Sequence, residues 1–313
     1  MAFTIPTISY TGKIKEVTLG SGASSVTVGG EACYPFYTFE GAMPRAPQIA
    51  FEVWDAQPED WPDWAVEPYK DVISDPVAWA KKAVDTYKAE MVALLLKSAD
   101  PNGANRDAEA VVATAKAVSD AISVPLIVWG CANDEKDAVM LRRVAEVCEG
   151  KNLALGPVTD KNYKQIGAMA IGYNQVVIAS TPIDVNLAKQ LNILLGNLGV
   201  QDSRLLIDPT TGGLGYGLEY SYSVMERDRM AALTQEDVKL QTPIICNLGN
   251  EVWKTKEAKT RTEDNPKLGD AKKRAILMES VAAMTLAMAG ADLLIMRHPE
   301  SIAYTKQMFK ELT

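Results

Sequence analysis

The sequence predicts an α/β fold, a TIM (β/α)8 barrel with a small N-terminal β-hairpin extension. Three observations lead to this prediction. Short apolar runs of β-forming residues recur along the chain, and stretches with helical patterning separate them. The runs are apolar throughout, which is typical of parallel strands buried on both faces. Residues 46–313 hold eight such β/α units, close to the roughly 250 residues typical of this barrel.

Residues 1–45 form the predicted extension. Lys13–Leu19 and Ser24–Val28 alternate polar with apolar side chains, and a Gly-Ser-Gly turn lies between them, which predicts a hairpin. Cys33–Phe39 is too aromatic for a helix, and a Gly/Pro-rich break follows it. We therefore expect a β-rich extension that ends near residue 45.

The barrel strands follow from the apolar runs. They are predicted at Ile49–Trp54, Val92–Leu96, Pro125–Trp129, Leu153–Val158, Gln175–Ala179, Arg204–Ile207, Pro243–Cys246 and Asp292–Met296. Helix starts are predicted at Asp75-Pro76 and at Thr181-Pro182-Ile183-Asp184. Right-handed crossovers leave few ways to connect eight such units, and a doubly wound open sheet is the alternative topology.

Composition and charge exclude several classes of protein. With 47% hydrophobic and 23% charged residues, the 313-residue chain is a typical globular protein. Its 40 acidic and 32 basic residues give a net charge of −8, which argues against nucleic acid or an anionic membrane as partner. It shows no secretory signal pattern and no long apolar run, so we expect a cytoplasmic protein.

The chain is short of metal-binding residues. Its one histidine is His298, and its four cysteines, Cys33, Cys131, Cys148 and Cys246, are widely spaced. Zinc sites and four-iron clusters need clustered Cys or His, and a Ser/His/Asp triad would have to recruit His298. We therefore expect no metal site and no catalytic residues in this chain, and a cofactor supplied by another chain.

The loops after the strand ends form the working face of such a barrel. After the second predicted barrel strand, Lys97 is followed by Asp100. A desolvated lysine here forms a Schiff base in class I aldolases, but an ion pair or an anion-binding charge is the interpretation we favour. After the third, Cys131 has no histidine nearby in sequence to activate it, which favours a packed residue.

The sixth and seventh strands carry the richest loops. Asp208–Ser223 holds four glycines within six residues, which lets backbone approach a ligand, although a lid without ligand contact is the alternative. Its Asp-Pro-x-x-Gly start also resembles pterin-binding methyltransferase barrels. Asn247 and Asn250 follow the seventh strand, where amides orient a planar heterocycle or cap neighbouring loops.

Aromatic residues crowd the loop after the first barrel strand. Trp54, Trp61, Trp64 and Trp79 lie in or beside it, and they either anchor a partner or fold the loop onto its own barrel. After the last strand, His298 precedes a proline, which favours a helix-capping role.

Several stretches together resemble one family, the small subunit of the corrinoid/iron-sulfur protein, related to the delta subunit of acetyl-CoA decarbonylase/synthase. They are YTGKIKEVTLG at Tyr10–Gly20, LKSADPNG at Leu96–Gly103, DPTTGGLGYGLEYSYSVMERDRMAAL at Asp208–Leu233 and CNLGNEVWKTKEAK at Cys246–Lys259. The glycine- and tyrosine-rich segment is the most specific of them.

The resemblance implies a barrel that pairs with a large subunit carrying a cobalt corrinoid and a 4Fe-4S cluster. Such a heterodimer takes a methyl group from methyltetrahydrofolate through a methyltransferase and passes it to acetyl-CoA synthase in the reductive acetyl-CoA pathway. The barrel mouth would cover the corrinoid held by the partner. The residues on matching stretches at that face are Lys97, Asp100, Asp208, Thr210, Thr211, Gly212, Gly213, Asn247 and Asn250.

Two alternatives remain from the residues themselves. One is a stand-alone pterin-binding methyltransferase barrel, in which Asp208 and the amides after the seventh strand bind the pterin. The other is a Schiff-base aldolase that uses Lys97.

Overall fold

The computed structural model describes residues 4–313 and contains a closed barrel of eight parallel strands. After the hairpin strands β1 (Val17–Leu19) and β2 (Val26–Val28), the barrel strands are β3 (Gln48–Trp54), β4 (Val92–Leu95), β5 (Leu126–Trp129), β6 (Ala154–Val158), β7 (Val176–Ser180), β8 (Leu205–Asp208), β9 (Ile244–Cys246) and β10 (Ala291–Met296). Each pairs with its neighbour in sequence, and β10 closes the ring on β3. The predicted TIM barrel is confirmed, and the open-sheet alternative is excluded.

Helices follow the barrel strands and cover the barrel. They are α1 (Asp63–Val66), α2 (Pro76–Asp85), α3 (Ala108–Ala121), α4 (Asp134–Val147), α5 (Tyr163–Gly172), α6 (Val185–Leu198), α7 (Leu218–Thr234), α8 (Leu248–Val252), α9 (Lys256–Lys259), α10 (Ala271–Ala289) and α11 (Pro299–Leu312). None of the helices in residues 4–313 combines the length and apolarity needed to cross a membrane.

The barrel strands are buried on both faces, as their continuous apolarity predicts. Along β4, Val92 and Leu94 belong to the core between barrel and helices, whereas Ala93 and Leu95 belong to a second core inside the barrel. This alternation is the two-residue period of a strand. It means that side chains at the strand ends alternate between the central mouth and the helix layer.

The N-terminal hairpin closes the bottom of the barrel. Its side chains Val17, Leu19 and Val28 join the buried core inside the barrel. The Asn152 side chain, just before β6, donates to the carbonyl oxygens of Thr18 and Gly20 at 2.8 and 2.9 Å. The hairpin is thus a plug at the amino-terminal end of the strands, and the opposite end is left for a ligand.

Three local predictions have different outcomes. The predicted β character of Cys33–Phe39 is wrong, because this segment forms turns; its aromatic side chains pack on one another without strand pairing. The helix start at Asp75 is confirmed, since its carboxylate accepts from the amides of Val77 and Ala78. The start at Thr181 is displaced: α6 begins at Val185, and Asp184 is the residue that caps it.

Candidate functional site

A cavity of about 350 Å³ lies at the mouth of the barrel, where the carboxyl ends of the strands meet. Six of the nine predicted site residues line it: Lys97, Asp208, Thr210, Thr211, Asn247 and Asn250. The other three, Asp100, Gly212 and Gly213, lie outside its lining. The structure therefore brings together residues that are up to 153 positions apart in sequence.

Asp208 is the most deeply held polar group of the mouth. At 5% exposure, its carboxylate accepts hydrogen bonds from the Ser180 hydroxyl at 2.7 Å and from the Thr210 amide at 3.1 Å. Burial raises the pKa of Asp208 to about 6, and these two hydrogen bonds oppose that rise. Both carboxylate oxygens already have partners within the chain, so Asp208 connects the end of β7 to the loop that follows β8.

Lys97 is half-buried at the end of β4. Its ammonium donates to the Asn250 side-chain oxygen at 2.9 Å and lies 5.2 Å from the centre of the Trp54 ring. Burial lowers the pKa of Lys97, and the nearby carboxylate of Glu52 opposes that effect. Within residues 4–313 no carboxylate lies within ion-pair distance of it, so Lys97 offers spare hydrogen-bond donors to the mouth.

The glycine-rich loop is folded onto itself. Thr210 has a left-handed backbone with φ of 63°, and its hydroxyl donates to the Thr181 carbonyl oxygen at 2.9 Å. The Gly212 amide donates to the Ser221 hydroxyl at 2.8 Å. A Cβ on Gly212 would lie 2.4 Å from the Gly217 carbonyl, so this glycine allows a close backbone approach within the loop.

Three buried oxygen atoms of the mouth lack a hydrogen-bond partner among the described residues. They are Oδ1 of Asn247 and Oγ1 of Thr181 and Thr211. All three side chains are at most 8% exposed, and all line the mouth cavity. Leaving a buried polar group unpaired costs roughly 1–3 kcal/mol. These atoms are therefore places where a bound ligand or a partner would restore hydrogen bonds.

The sequence reasoning missed a buried ion pair beneath the mouth. The Arg297 side chain donates to Glu52 Oε1 at 2.7 Å, and its central carbon lies 3.8 Å from the centre of the Trp61 ring. The Trp54 indole also donates to Glu52. The sequence does contain a signal for this ion pair: Glu52 is a charged residue within the apolar run that forms β3. A buried carboxylate requires a partner.

The other candidates have mainly structural roles. Trp61, Trp79 and Trp253 are buried, and the Trp61 ring lies 4.9 Å from that of Trp54, which supports the interpretation that the loop folds onto its own barrel. Burial raises the pKa of Cys131 to about 11, against use as a nucleophile. His298 caps α11, as predicted, by accepting from the Glu300 amide at 3.2 Å.

A family model described as CO dehydrogenase/acetyl-CoA synthase delta subunit matches residues 16–308. The chain belongs to this family. The resemblance seen in the sequence motifs is thereby confirmed. Among curated members, the acetyl-CoA decarbonylase/synthase complex subunit delta of Archaeoglobus fulgidus is 36% identical, with 97% of this chain and 69% of that protein covered. That of Methanothermobacter thermautotrophicus is 33% identical, covering 99% of this chain and 79% of that protein.

This delta-family chain also resembles solved barrels in its fold. A dihydropteroate synthase from Xanthomonas albilineans has a TM-score of 0.56 and 13% identity, with 95% of this chain and 97% of that one covered. One from Thermus thermophilus has a TM-score of 0.53 and 14% identity, with 89% and 96% covered. At this identity the likeness concerns the fold alone.

Proposed function

We propose that this chain is the barrel subunit of a heterodimeric corrinoid/iron-sulfur methyl carrier, and that its mouth covers a corrinoid held by the large subunit. The observation that carries the proposal is the set of unpartnered buried oxygens at the mouth, those of Asn247, Thr181 and Thr211, in a member of the delta family. The corrinoid and the 4Fe-4S cluster belong to the partner in this proposal.

The residues at the mouth fit the edge of a corrinoid. That edge carries neutral carboxamide side chains, which both donate and accept hydrogen bonds. Asn247 Oδ1 and the two threonine hydroxyls are neutral groups of matching chemistry, and Lys97 has donors left over. When bound, the corrinoid supplies the cobalt centre that carries the methyl group.

The role of this chain is then to orient and enclose. Asn247, Thr211 and Thr181 hold the ligand edge, and Asp208 fixes the loop that carries Thr210 and Thr211 through its bonds to Ser180 and Thr210. The surrounding apolar barrel excludes water from the covered face. No proton transfer is required of these side chains.

The same proposal assigns the wider partners. They are a methyltetrahydrofolate methyltransferase, which delivers the methyl group, and acetyl-CoA synthase, which receives it in the reductive acetyl-CoA pathway. We also propose a cytoplasmic location, which the four free cysteines support because they suit a reducing compartment.

Co-expression with the large subunit tests the proposal. We expect a stable heterodimer with corrinoid and iron-sulfur absorption, and a methyl transfer rate that falls in Asn247→Leu and Thr211→Val. Asn197→Leu, at an exposed position on α6, is the control and should transfer methyl groups at the wild-type rate. Failure to form a heterodimer, or equal rates in all variants, would contradict the proposal.

The two alternatives have their own tests on the isolated chain. Tight binding of methyltetrahydrofolate without any partner would favour the stand-alone methyltransferase. A borohydride-trapped adduct at Lys97 with a carbonyl substrate would favour the aldolase. We expect neither, because each carboxylate oxygen of Asp208 already accepts a hydrogen bond within the chain and Lys97 is bonded to Asn250.

A further inference from the structure

We propose that a second cavity, beside the mouth, binds a neutral or weakly basic heteroaromatic group. This cavity has a volume of about 340 Å³ and lies between helix α6 and the loops that follow β6 and β7. Its volume falls in the range of roughly 300–1,000 Å³ that is usual for small-molecule sites. None of the nine residues predicted from the sequence lines it.

One wall of this cavity is apolar. Leu187, Leu191 and Leu194 line it from α6, and Pro182 adds to it from the loop after β7. The three leucines are spaced by four and three residues, so they lie on one face of the helix. Leu191 is 2% exposed, whereas Leu187 is 40% exposed at the opening. Such a wall suits the flat face of a ring.

The cavity also has a polar group without a partner. Thr181 is 7% exposed, and its hydroxyl makes no hydrogen bond within residues 4–313. The backbone of Thr181 is held on both sides, because its amide donates to the Asp208 carbonyl at 3.1 Å and its carbonyl accepts from the Thr210 hydroxyl. The hydroxyl therefore lies on a restrained backbone in the wall shared by the two cavities. Its proton is available to a ring nitrogen, while its oxygen can still accept from a ligand at the mouth. The Gln190 side chain lines the same cavity.

The charged residues at the rim of the cavity indicate which ligand charge it favours. Asp134 pairs with Lys161 at 3.3 Å and also accepts from the Thr159 hydroxyl at 2.7 Å. Asp160 is exposed, and no cation of the described residues lies within ion-pair distance of it. The lining thus has one negative charge in excess, which disfavours carboxylates and phosphates and favours a neutral or weakly basic ring.

The two cavities are adjacent. They share the lining residues Asp134, Thr159, Ser180, Thr181 and Pro182. A ring bound beside α6 would therefore lie next to the mouth. The inference itself does not depend on the proposed function, because it is tested on the isolated chain without a corrinoid or a partner subunit.

Titration of the full chain with benzimidazole, followed by NMR of its leucine methyl groups, tests this site. We expect saturable shifts at Leu187, Leu191 and Leu194. Indole-2-carboxylate, a ring of similar size with a negative charge, should give no saturable shift at these methyl groups. Absence of saturable shifts with benzimidazole, or equal binding of the carboxylate, would overturn the proposal.

Variants on α6 provide the matched comparison. Leu187→Lys places a charge at the cavity opening and should weaken benzimidazole binding about tenfold or more. Ile193→Lys changes a similarly exposed residue, 37% against 40%, that lies outside the cavity, and should stay within about twofold of wild type. Thr181→Val should also weaken binding, because it removes the hydroxyl and keeps the shape. Equal effects of the two lysine variants would contradict the site, and unchanged melting temperatures would show that both variants fold.

Discussion

Glu52 in β3 and Arg297 directly after β10 form a buried ion pair across the seam where the barrel closes. The Arg297 Nη2 and Glu52 Oε1 atoms are 2.7 Å apart, and both side chains are at most 2% exposed. Strands β3 and β10 are the first and last of the barrel and pair with each other. The ion pair therefore ties the two ends of the barrel sequence together directly beneath the mouth.

Removal of one partner of this ion pair should strongly destabilise the fold. Arg297→Met leaves the Glu52 carboxylate buried without its cation, and we expect a loss of about 3–5 kcal/mol in the free energy of unfolding, measured with urea. Lys116→Met breaks the exposed pair of Lys116 with Asp120 and should cost less than about 1 kcal/mol. Similar losses for both variants would contradict the importance of burial.

A side chain at Gly249 should lower the stability of the fold. A Cβ at this position would lie 2.4 Å from Glu52 Oε2 and 3.0 Å from the Arg297 amide nitrogen. Gly249→Ala should therefore destabilise by about 1–3 kcal/mol, the usual range for overpacking. Gly172→Ala, in α5 with nothing within 4 Å of the added Cβ, should be neutral or stabilising by up to about 1 kcal/mol. Thermal unfolding of the two variants and of wild type measures these changes in stability, and equal melting temperatures for both variants would contradict the prediction.

Asp208 should give the protein a specific pH dependence. Because burial raises the pKa of Asp208 to about 6 in the folded state, the folded protein takes up its proton before the unfolded chain does, near pH 3.9. The stability that depends on this proton is present at low pH and is lost as the pH rises through about 6. Relative to Asp208→Asn, wild type should therefore lose about 2 kcal/mol between pH 4 and pH 7. Urea titrations of wild type and Asp208→Asn at several pH values measure this difference, and a difference in stability that does not change with pH would contradict the prediction.

The hairpin plug should contribute to the stability of the barrel. Leu19 is fully buried in the core inside the barrel, so Leu19→Ala should cost about 2–5 kcal/mol. Thr18 is exposed and contacts Thr27 across the hairpin, with the two hydroxyl oxygens 2.8 Å apart, so Thr18→Ala should cost less than about 1 kcal/mol. Two separate unfolding transitions, with Leu19→Ala affecting only one, would instead indicate an independent extension. The division between residues 1–45 and 46–313 stays a prediction until then.

The barrel strands were the most predictable part of the fold. Val92–Leu96 and Asp292–Met296, for example, differ from the observed Val92–Leu95 and Ala291–Met296 by a single residue. Continuous apolarity is a local signal, and it is strong because both faces of each strand are buried. Turn-forming segments such as Cys33–Phe39 have no comparable pattern, and aromatic content alone gave the wrong secondary structure there.

The candidate site was predictable only in part. Lys97, Asp208 and the two asparagines could be expected at the mouth because loops after parallel strands meet at one end of a barrel. The partner of each group could not be predicted, since Lys97 and Asn250 are 153 positions apart and Glu52 and Arg297 are 245 apart. Gly212 packs closely against Gly217 of its own loop, and Gly213 packs against Glu251 after β9. A ligand contact by either glycine stays a prediction.

The sequence by itself determined the fold class and the family, because continuous apolar runs and extended motifs are properties of contiguous residues. The tertiary structure alone decided that the hairpin closes one end of the barrel and that Glu52 and Arg297 form an ion pair where the first and last strands meet. It also decided that the Thr181 hydroxyl, between two cavities, has no hydrogen-bond partner within residues 4–313. These facts depend on which side chains meet across the barrel. A buried charge or hydroxyl is stable only with a partner, and that partner is set by three-dimensional packing rather than by the local pattern.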